Sequence, residues 1–273
     1  MAVPIALVTD FGLDDWYVGV MKAVVLSISP DAQIIDLAHS IPPHDVEAAG
    51  FVLLVSSTYL PGSTVVVVVV DPGVGGGRRI LCARSGGHTY VFPDNGVLTE
   101  LLDRDGVEAM VEVKRPEFFM PRPSHTFHGR DVFAPVAAHL SLGVEIEELG
   151  PAARGWTRAE IAGPRFQGER VLARVRWIDR FGNLVTDCPV RMVAEARGKW
   201  GEVVVEVPGG ATGPVVPTYG AAERGCLLGV VGSSGYLEIS VREGNAAGRL
   251  GLRLGDTVVL RGSEGPPARQ AGS

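Results

Sequence analysis

The chain predicts an α/β fold: an N-terminal α/β domain on a mainly parallel sheet, followed by a small C-terminal β-barrel or sandwich. Three observations predict it. Strand-like and helix-like segments alternate through the first half, the order that builds parallel sheets from crossover units. Past Leu149 the stretch GPAARGWTRAEIAGPRFQG is rich in glycine, proline and charge, as a crossing between domains is. Beyond it helical periodicity fades, and short β-like runs separated by glycine turns take over, which is how a small all-β unit reads. The boundary is placed near Ala162, giving domains 1–162 and 163–273.

In order, PIALVTD reads as a strand, WYVGVMKAVVLSIS as a helix, AQIIDLA as a strand, DVEAAGFVLLVSSTYL as a helix and STVVVVVVD as a strand. The valine run of that last segment is β-branched and far shorter than the ~20 residues a membrane helix needs, so it is read as a buried strand and no membrane partner is expected. ILCARSGG and HTYVFPDNG read as shorter strands around a turn, and HGRDVFAPVAAHLSLG as a helix starting near His128 or Gly129, whose N-terminus would favour negative charge. RVLARVRWID, NLVTDC, EVVVEV, CLLGVVG, YLEISV and DTVVL supply the β unit, and the terminal GSEGPPARQAGS is expected to be a frayed tail. The opening MAVPIALVTDFG has no basic stretch ahead of an apolar core, so it is read as a first strand and not a secretory leader.

With 273 residues and 46% hydrophobic content the chain can bury a large core. A formal net charge of -6 supplies no basic field for gathering phosphates, so nucleic acid is not expected and a small molecule is. The three cysteines, Cys82, Cys188 and Cys226, form no C-x-x-C pair and are read as reduced, buried thiols of a cytoplasmic protein.

Two of the predicted strands end in aspartates, Asp10 and Asp71, each followed by a glycine-containing loop. Ligands of open α/β sheets bind beyond the carboxyl ends of strands, so both acids are expected to face one crevice. Asp14 and Asp15 are explained equally well as a helix cap and dipole partner. Asp10 is better suited to accept ribose hydroxyls. DPGVGGGRR lacks the G-K-[ST] ending of a phosphate loop, but it carries Asp71 with Arg78 close behind, a pair able to fix a water between acceptor and cation. SHTFHGRDVFAP adds His125, His128, Arg130 and Asp131, readable as structural groups or, with the strand-end aspartates, as a dinuclear metal site whose paired motifs are missing. In WIDRFGNLVTD, Asn183 offers donor and acceptor side by side, suited to a purine edge or an amino-acid head group.

Together TDFGLDDWYVG, DPGVGGGRR, PDNG, TFHGRD, DRFGN and SSGYLEISV with GNAA, running in order from about Ala6 to Asp256, resemble the S-adenosyl-L-methionine (SAM) hydroxide adenosyltransferase family, related to the fluorinases and chlorinases. The resemblance implies a Rossmann-like N-terminal domain, a C-terminal β-barrel, and a homotrimer with substrate sites between subunits. It implies a water-handling triad on Asp71, Arg78 and His128, ribose binding by Asp10, and a second N-terminal acid on Asp15. It places Phe127 against the nucleoside, Asp179 and Asn183 near the methionine head group or adenosine with Phe181 between them, and Ser233 and the Ala246 backbone at the adenine edge. Arg79 stands beside Arg78, and the spacing assigns the role to Arg78. The glycine-rich loop departs from many relatives, which carry a polar residue after GVG.

The implied reaction is hydrolysis of SAM to adenosine and methionine, with SAM as substrate and no cofactor or metal. A neutral thioether leaves without a proton donor, so the protein has to position the substrate and activate water. Asp71 would repel a halide and welcome water, which favours hydrolysis over 5′-halo-adenosine formation. A halogenase, a non-catalytic SAM or adenosine sensor and a dinuclear metallohydrolase are the alternatives.

Overall fold

A computed structural model describes residues 2–263; the tail expected to fray lies outside the described residues, apart from Gly262 and Ser263. Two compact units divide the chain between Glu160 and Ile161.

The first unit is built on strands β1 (Ile5–Thr9), β2 (Ile34–Ala38), β3 (Val65–Val69), β4 (Ile80–Ser85), β5 (His88–Pro93) and β6 (Ala109–Glu112), with helices α1 (Tyr17–Ile28), α2 (Val46–Ser56), α3 (Thr99–Asp105) and α4 (Ala134–Ser141). The sheet order is β2-β1-β3-β5-β4-β6. β1 pairs in parallel with β2 and β3, and β3 with β5, while β4 runs antiparallel to β5 and β6. Ile5, Leu7, Val65, Val67 and Val69 share a core with Met21 and Val25 of α1, with Phe133 just ahead of α4, and with Val136 and Ala137 of α4. The alternate residues Ala6, Val8, Val66 and Val68 are buried on the other face. A strand apolar on both faces suits a parallel sheet covered by helices, which is why the valine run is a strand.

The chain leaves β1 toward β2 on one side and returns to β3 on the other, so the gap between the ends of β1 and β3 is the topological switch point where open α/β sheets bind ligands. Thr9 pairs with Val69, which brings Asp10 and Asp71 to the same rim.

Two local features differ from expectation. α1 begins after Trp16 with no side-chain cap bond and no acid in its first turn, so Asp14 and Asp15 are exposed and do not cap it. The helix expected from His128 or Gly129 opens instead with a π turn, Gly129–Phe133, before α4. Pro135 has no N–H for the carbonyl of Asp131 four residues back, and that carbonyl accepts the Met120 N–H at 2.9 Å.

The second unit holds β7 (Arg165–Gln167), β8 (Arg170–Ile178), β9 (Leu184–Pro189), α5 (Val190–Trp200), β10 (Val203–Glu206), β11 (Thr212–Pro214), β12 (Leu227–Val231), β13 (Tyr236–Val241), α6 (Ala246–Leu250) and β14 (Thr257–Gly262). The antiparallel order is β11-β10-β14-β8-β9-β13-β12, with β7 on β8. A bridge between Val215 and Gly229 nearly joins the two ends, making a barrel. α5 is a helix the sequence reading did not anticipate. Val193 and Ala196 are its buried residues, and Met192 and Trp200 pack against the same core. Among the described residues no helix is long and apolar enough to cross a membrane. Cys82 and Cys188 are buried, but Cys226 is exposed, against the expectation of three buried thiols.

Candidate functional site

At the rim between β1 and β3, a cavity of about 130 Å³ is lined by Asp10, Phe11, His44, Val69, Asp71, Val74, Thr126, Phe127, His128 and Gly129. Asp10 and Asp71, adjacent in the sheet register, both reach it, together with His128 and Phe127 from the TFHGRD segment. Arg78 joins the pieces. Its Nε and Nη2 donate to Asp71 Oδ2 at 2.8 and 2.5 Å, and its Nη2 lies 2.8 Å from His128 Nδ1. Asp71 Oδ1 is buried and has no hydrogen-bond partner among the described residues. A buried carboxylate oxygen without a donor is costly.

A guanidinium only donates, so His128 Nδ1 must accept, which makes His128 neutral with its proton on Nε2. Burial and the Arg78 charge both lower its pKa from the ordinary 6.5, against a smaller opposing pull from Asp71. His128 thus fixes Arg78 and presents an Nε2–H; with Nδ1 occupied, it is not poised as a proton acceptor. Arg79, the neighbouring candidate, is engaged elsewhere: it donates to Asp94 Oδ2 at 2.8 and 2.6 Å and to the Gly155 carbonyl.

The remaining N-terminal motif residues shape these groups. Asn95 of PDNG donates to the Val70 carbonyl at 2.9 Å, bracing the residue before Asp71. Asp131 is buried and accepts from Arg130 Nε at 2.6 Å and from the Ser124 N–H at 2.8 Å. Burial alone would raise its pKa, but these bonds hold it below the carboxylate norm, and they pin the segment that carries Phe127 and His128. Gly75 has φ of +75°, and a Cβ there would stand 2.3 Å from the His125 carbonyl oxygen, so the glycine loop and the histidine segment are in close contact. Phe127 packs edge-on to Phe11 and Tyr17, at 5.8 and 5.1 Å between centroids, under the Arg130 guanidinium. Asp15 is exposed and lines no cavity described here.

The second unit carries a separate cavity of about 680 Å³, lined by Asp179, Phe181, Asn183, Tyr219, Ser233, Glu238, Val241, Arg242, Glu243 and Gly244. Asp179 closes the DRFGN turn by accepting from the Phe181 and Asn183 N–H groups and from Asn183 Nδ2, at 2.9, 2.8 and 2.8 Å. The Phe181 side chain is left in solvent, with the residue 75% exposed. Asn245 of GNAA caps α6 through the Gly248 N–H, and the Ala247 N–H donates to the Gly182 carbonyl at 2.9 Å, tying the two motifs together. Ala246 is fully buried, so its methyl belongs to the barrel core and only its backbone has polar groups to offer.

Sequence reasoning missed Phe11 and His44 at the first cavity and Tyr219, Glu238 and Arg242 at the second. Glu238 had a signal, an acid inside the apolar strand YLEISV. It is buried, accepts the Tyr219 hydroxyl at 2.6 Å, and burial raises its pKa. Tyr219 sits in a loop without a pattern. Among the described residues no group of three or more His, Cys, Asp or Glu is arranged to hold a metal.

Comparison with known proteins follows the same two-part division. A family model for the SAM hydroxide adenosyltransferase N-terminal domain matches residues 5–150, and one for its C-terminal domain matches 173–259. A protein of Thermus thermophilus named (R)-S-adenosyl-L-methionine hydrolase is 40% identical over 264 residues, covering 94% of this chain and 99% of its own. A fluorinase of Nocardia brasiliensis is 27% identical, covering 94% and 96%. A crystal structure of an uncharacterized conserved protein from Thermotoga maritima superposes with a TM-score of 0.90 at 38% identity, covering 94% of this chain and 99% of that one.

Proposed function

This chain belongs to the SAM hydroxide adenosyltransferase family, and on that premise we propose that it is an enzyme hydrolysing SAM to adenosine and L-methionine, by attack of water at the ribose 5′ carbon. The observation that carries the mechanism is the unequal use of the Asp71 carboxylate: Oδ2 is saturated by Arg78, while Oδ1 is buried without a donor in a residue that lines the cavity. A water donating to Oδ1 would satisfy that oxygen. A halide has no proton to donate and would leave it unsatisfied, so the same atom selects water.

The chemistry asks little more of the protein. The sulfonium leaves as a neutral thioether and needs no acid. As the C–O bond forms, the attacking water becomes strongly acidic, so even a weak carboxylate base held by Arg78 can take its proton. Asp71 Oδ1 is that base. Arg78 holds Asp71 in place, and His128 holds Arg78 while offering its Nε2–H to the cavity. Asp10 accepts the ribose hydroxyls and Phe127 packs on the nucleoside. The Asp179, Phe181, Asn183 and Ser233 cluster, with the Ala246 backbone, receives the adenine and the methionine head group, and for Asp15, exposed in the loop before α1, a substrate-side role rests on the family resemblance alone.

We extend to this chain the (R) configuration in the Thermus relative's name, and a homotrimer with sites between subunits. Trp16, beside Tyr17 of the Phe127 cluster, is 66% exposed, as is Phe181 at the second cavity to a greater degree; exposed apolar groups at a ligand site favour coverage by a partner. No metal or other cofactor enters this reading, because a guanidinium already occupies the ground between Asp71 and His128. A cytoplasmic location accords with three cysteines left free.

The deciding experiment is chromatography of SAM incubated with purified protein in halide-free buffer. Adenosine and methionine should appear in equal amounts and continue to appear after exhaustive chelation. Tight SAM binding without product would refute the reading in favour of a sensor, and 5′-chloro-adenosine in chloride would favour a halogenase.

A further inference from the structure

Beneath Asp10 runs a hydrogen-bonded chain that the reaction as derived does not use. Lys22 Nζ donates to Asp36 Oδ2 at 2.6 Å, and Asp36 Oδ1 lies 2.9 Å from His39 Nε2. On the other edge of the ring, His39 Nδ1 is 2.9 Å from Thr9 Oγ1, which also accepts the Phe11 N–H at 3.3 Å. A carboxylate only accepts, so Nε2 carries a proton, and Nδ1 pairs with the Thr9 hydroxyl. Thr9 and His39 are both buried. A polar pair there is retained at a cost an apolar pair would not carry.

The placement is what gives the chain meaning. Thr9 is the residue before Asp10, and two residues after Asp10 the Gly12 N–H donates to the backbone carbonyl of the same His39 at 2.7 Å. Gly12 makes the turn with φ of +68°. Further along the His39 segment, the His44 N–H donates to Asp10 Oδ2 at 2.9 Å. One segment therefore grips the end of β1 before, at and after the carboxylate.

We infer that Thr9, His39 and Asp36 form a clamp that sets the Asp10 carboxylate against the ribose hydroxyls, and are positioning residues for ribose recognition. The inference rests on Asp10 as the ribose acceptor. A carboxylate free to swing by an ångström would still leave the reacting groups intact, so the effect falls on ribose recognition and not on the attack of water.

The test uses the full chain with SAM and its 2′-deoxy analogue. Thr9→Val keeps the shape and removes the hydroxyl; it should raise KM for SAM about tenfold, the worth of one buried hydrogen bond, with kcat nearly unchanged. The preference in kcat/KM for SAM over the 2′-deoxy analogue should fall by a similar factor, and Thr9→Ser should restore both. Asp36→Asn, at a side chain 45% exposed and so tolerant of substitution, should shift the preference in the same direction by less. An unchanged preference in Thr9→Val and Asp36→Asn, even with a lowered melting temperature, overturns the clamp. Asp10→Ala separates the two levels. If it loses the preference while Thr9→Val keeps it, the clamp alone fails; if Asp10→Ala keeps the preference, Asp10 is not the ribose acceptor and the clamp falls with it.

Discussion

Asp71→Asn isolates the step on which the mechanism depends. With the asparagine carbonyl at the Oδ2 position, both Arg78 bonds survive, and the amide NH₂ replaces Oδ1. The buried Oδ1 position then carries a donor in place of an acceptor, with the surrounding shape preserved. The Asp71 side chain is 4% exposed and Arg78 12%, so the pair is partly desolvated. Replacing a charge-assisted bond by a neutral one about halves its worth, which sets the stability loss at roughly 1–2 kcal/mol. The catalytic loss is larger. Removing a positioned proton acceptor costs about 10²–10⁴ in rate, or roughly 3–5 kcal/mol of barrier. KM should change little, because the proposed nucleoside and methionine contacts lie elsewhere. Adenosine release under saturating SAM, read by chromatography alongside a melting curve, separates the two effects. In chloride the variant should gain a trace of 5′-chloro-adenosine, since an NH₂ can bind an anion. Adenosine formation at the wild-type rate by a folded Asp71→Asn would refute the reasoning.

Four further outcomes follow from the same reading. His128, His88 and His139 have pKa values lowered chiefly by burial, so below the ordinary 6.5 the unfolded chain binds protons that the folded chain resists. Stability should be full above that value and fall as pH drops toward the depressed native values. A kcat/KM profile should show an acid limb below 6.5, where a proton on Nδ1 would oppose Arg78, and His128→Gln should lose that limb. Gly75→Ala should sharply lower kcat, because its Cβ meets the His125 carbonyl at 2.3 Å, whereas Gly77→Ala, with nothing within 4 Å, should leave activity intact; kinetics on the pair checks whether the loop's packing matters or only its glycine content. The (R) and (S) sulfonium epimers of SAM should be hydrolysed at clearly different rates, and equal rates in a chiral assay would remove the configuration from the reading.

Much of this protein was legible in one dimension because its strongest signals are local. Consecutive β-branched residues from Val65 onward can only be buried on both faces of a sheet, and an aspartate directly after each of two such strands has to emerge at the sheet's rim. Asp131 and Asp179 announced themselves through the short motifs TFHGRD and DRFGN, whose backbones they brace. α5 escaped because it is embedded between short β runs, NLVTDC before it and EVVVEV after it, and the π turn escaped because a proline's effect depends on which partner its orphaned carbonyl finds. Sequence spacing assigned the role to Arg78 over its neighbour Arg79, and the fold aims these adjacent side chains at Asp71 and Asp94.

What the sequence by itself determined, then, is the alternation that builds the α/β unit, the barrel that follows, and the set of residue types able to handle water and a nucleoside. Tertiary structure alone decided how those residues are used. The register of β1 on β3 sets Asp10 beside Asp71, Arg78 spends its donors on one oxygen of Asp71 and one nitrogen of His128, and the other carboxylate oxygen is left buried and unmet. Hydrogen-bond saturation is a property of three-dimensional neighbours, and no spacing along a chain records which lone pair will be the one without a partner.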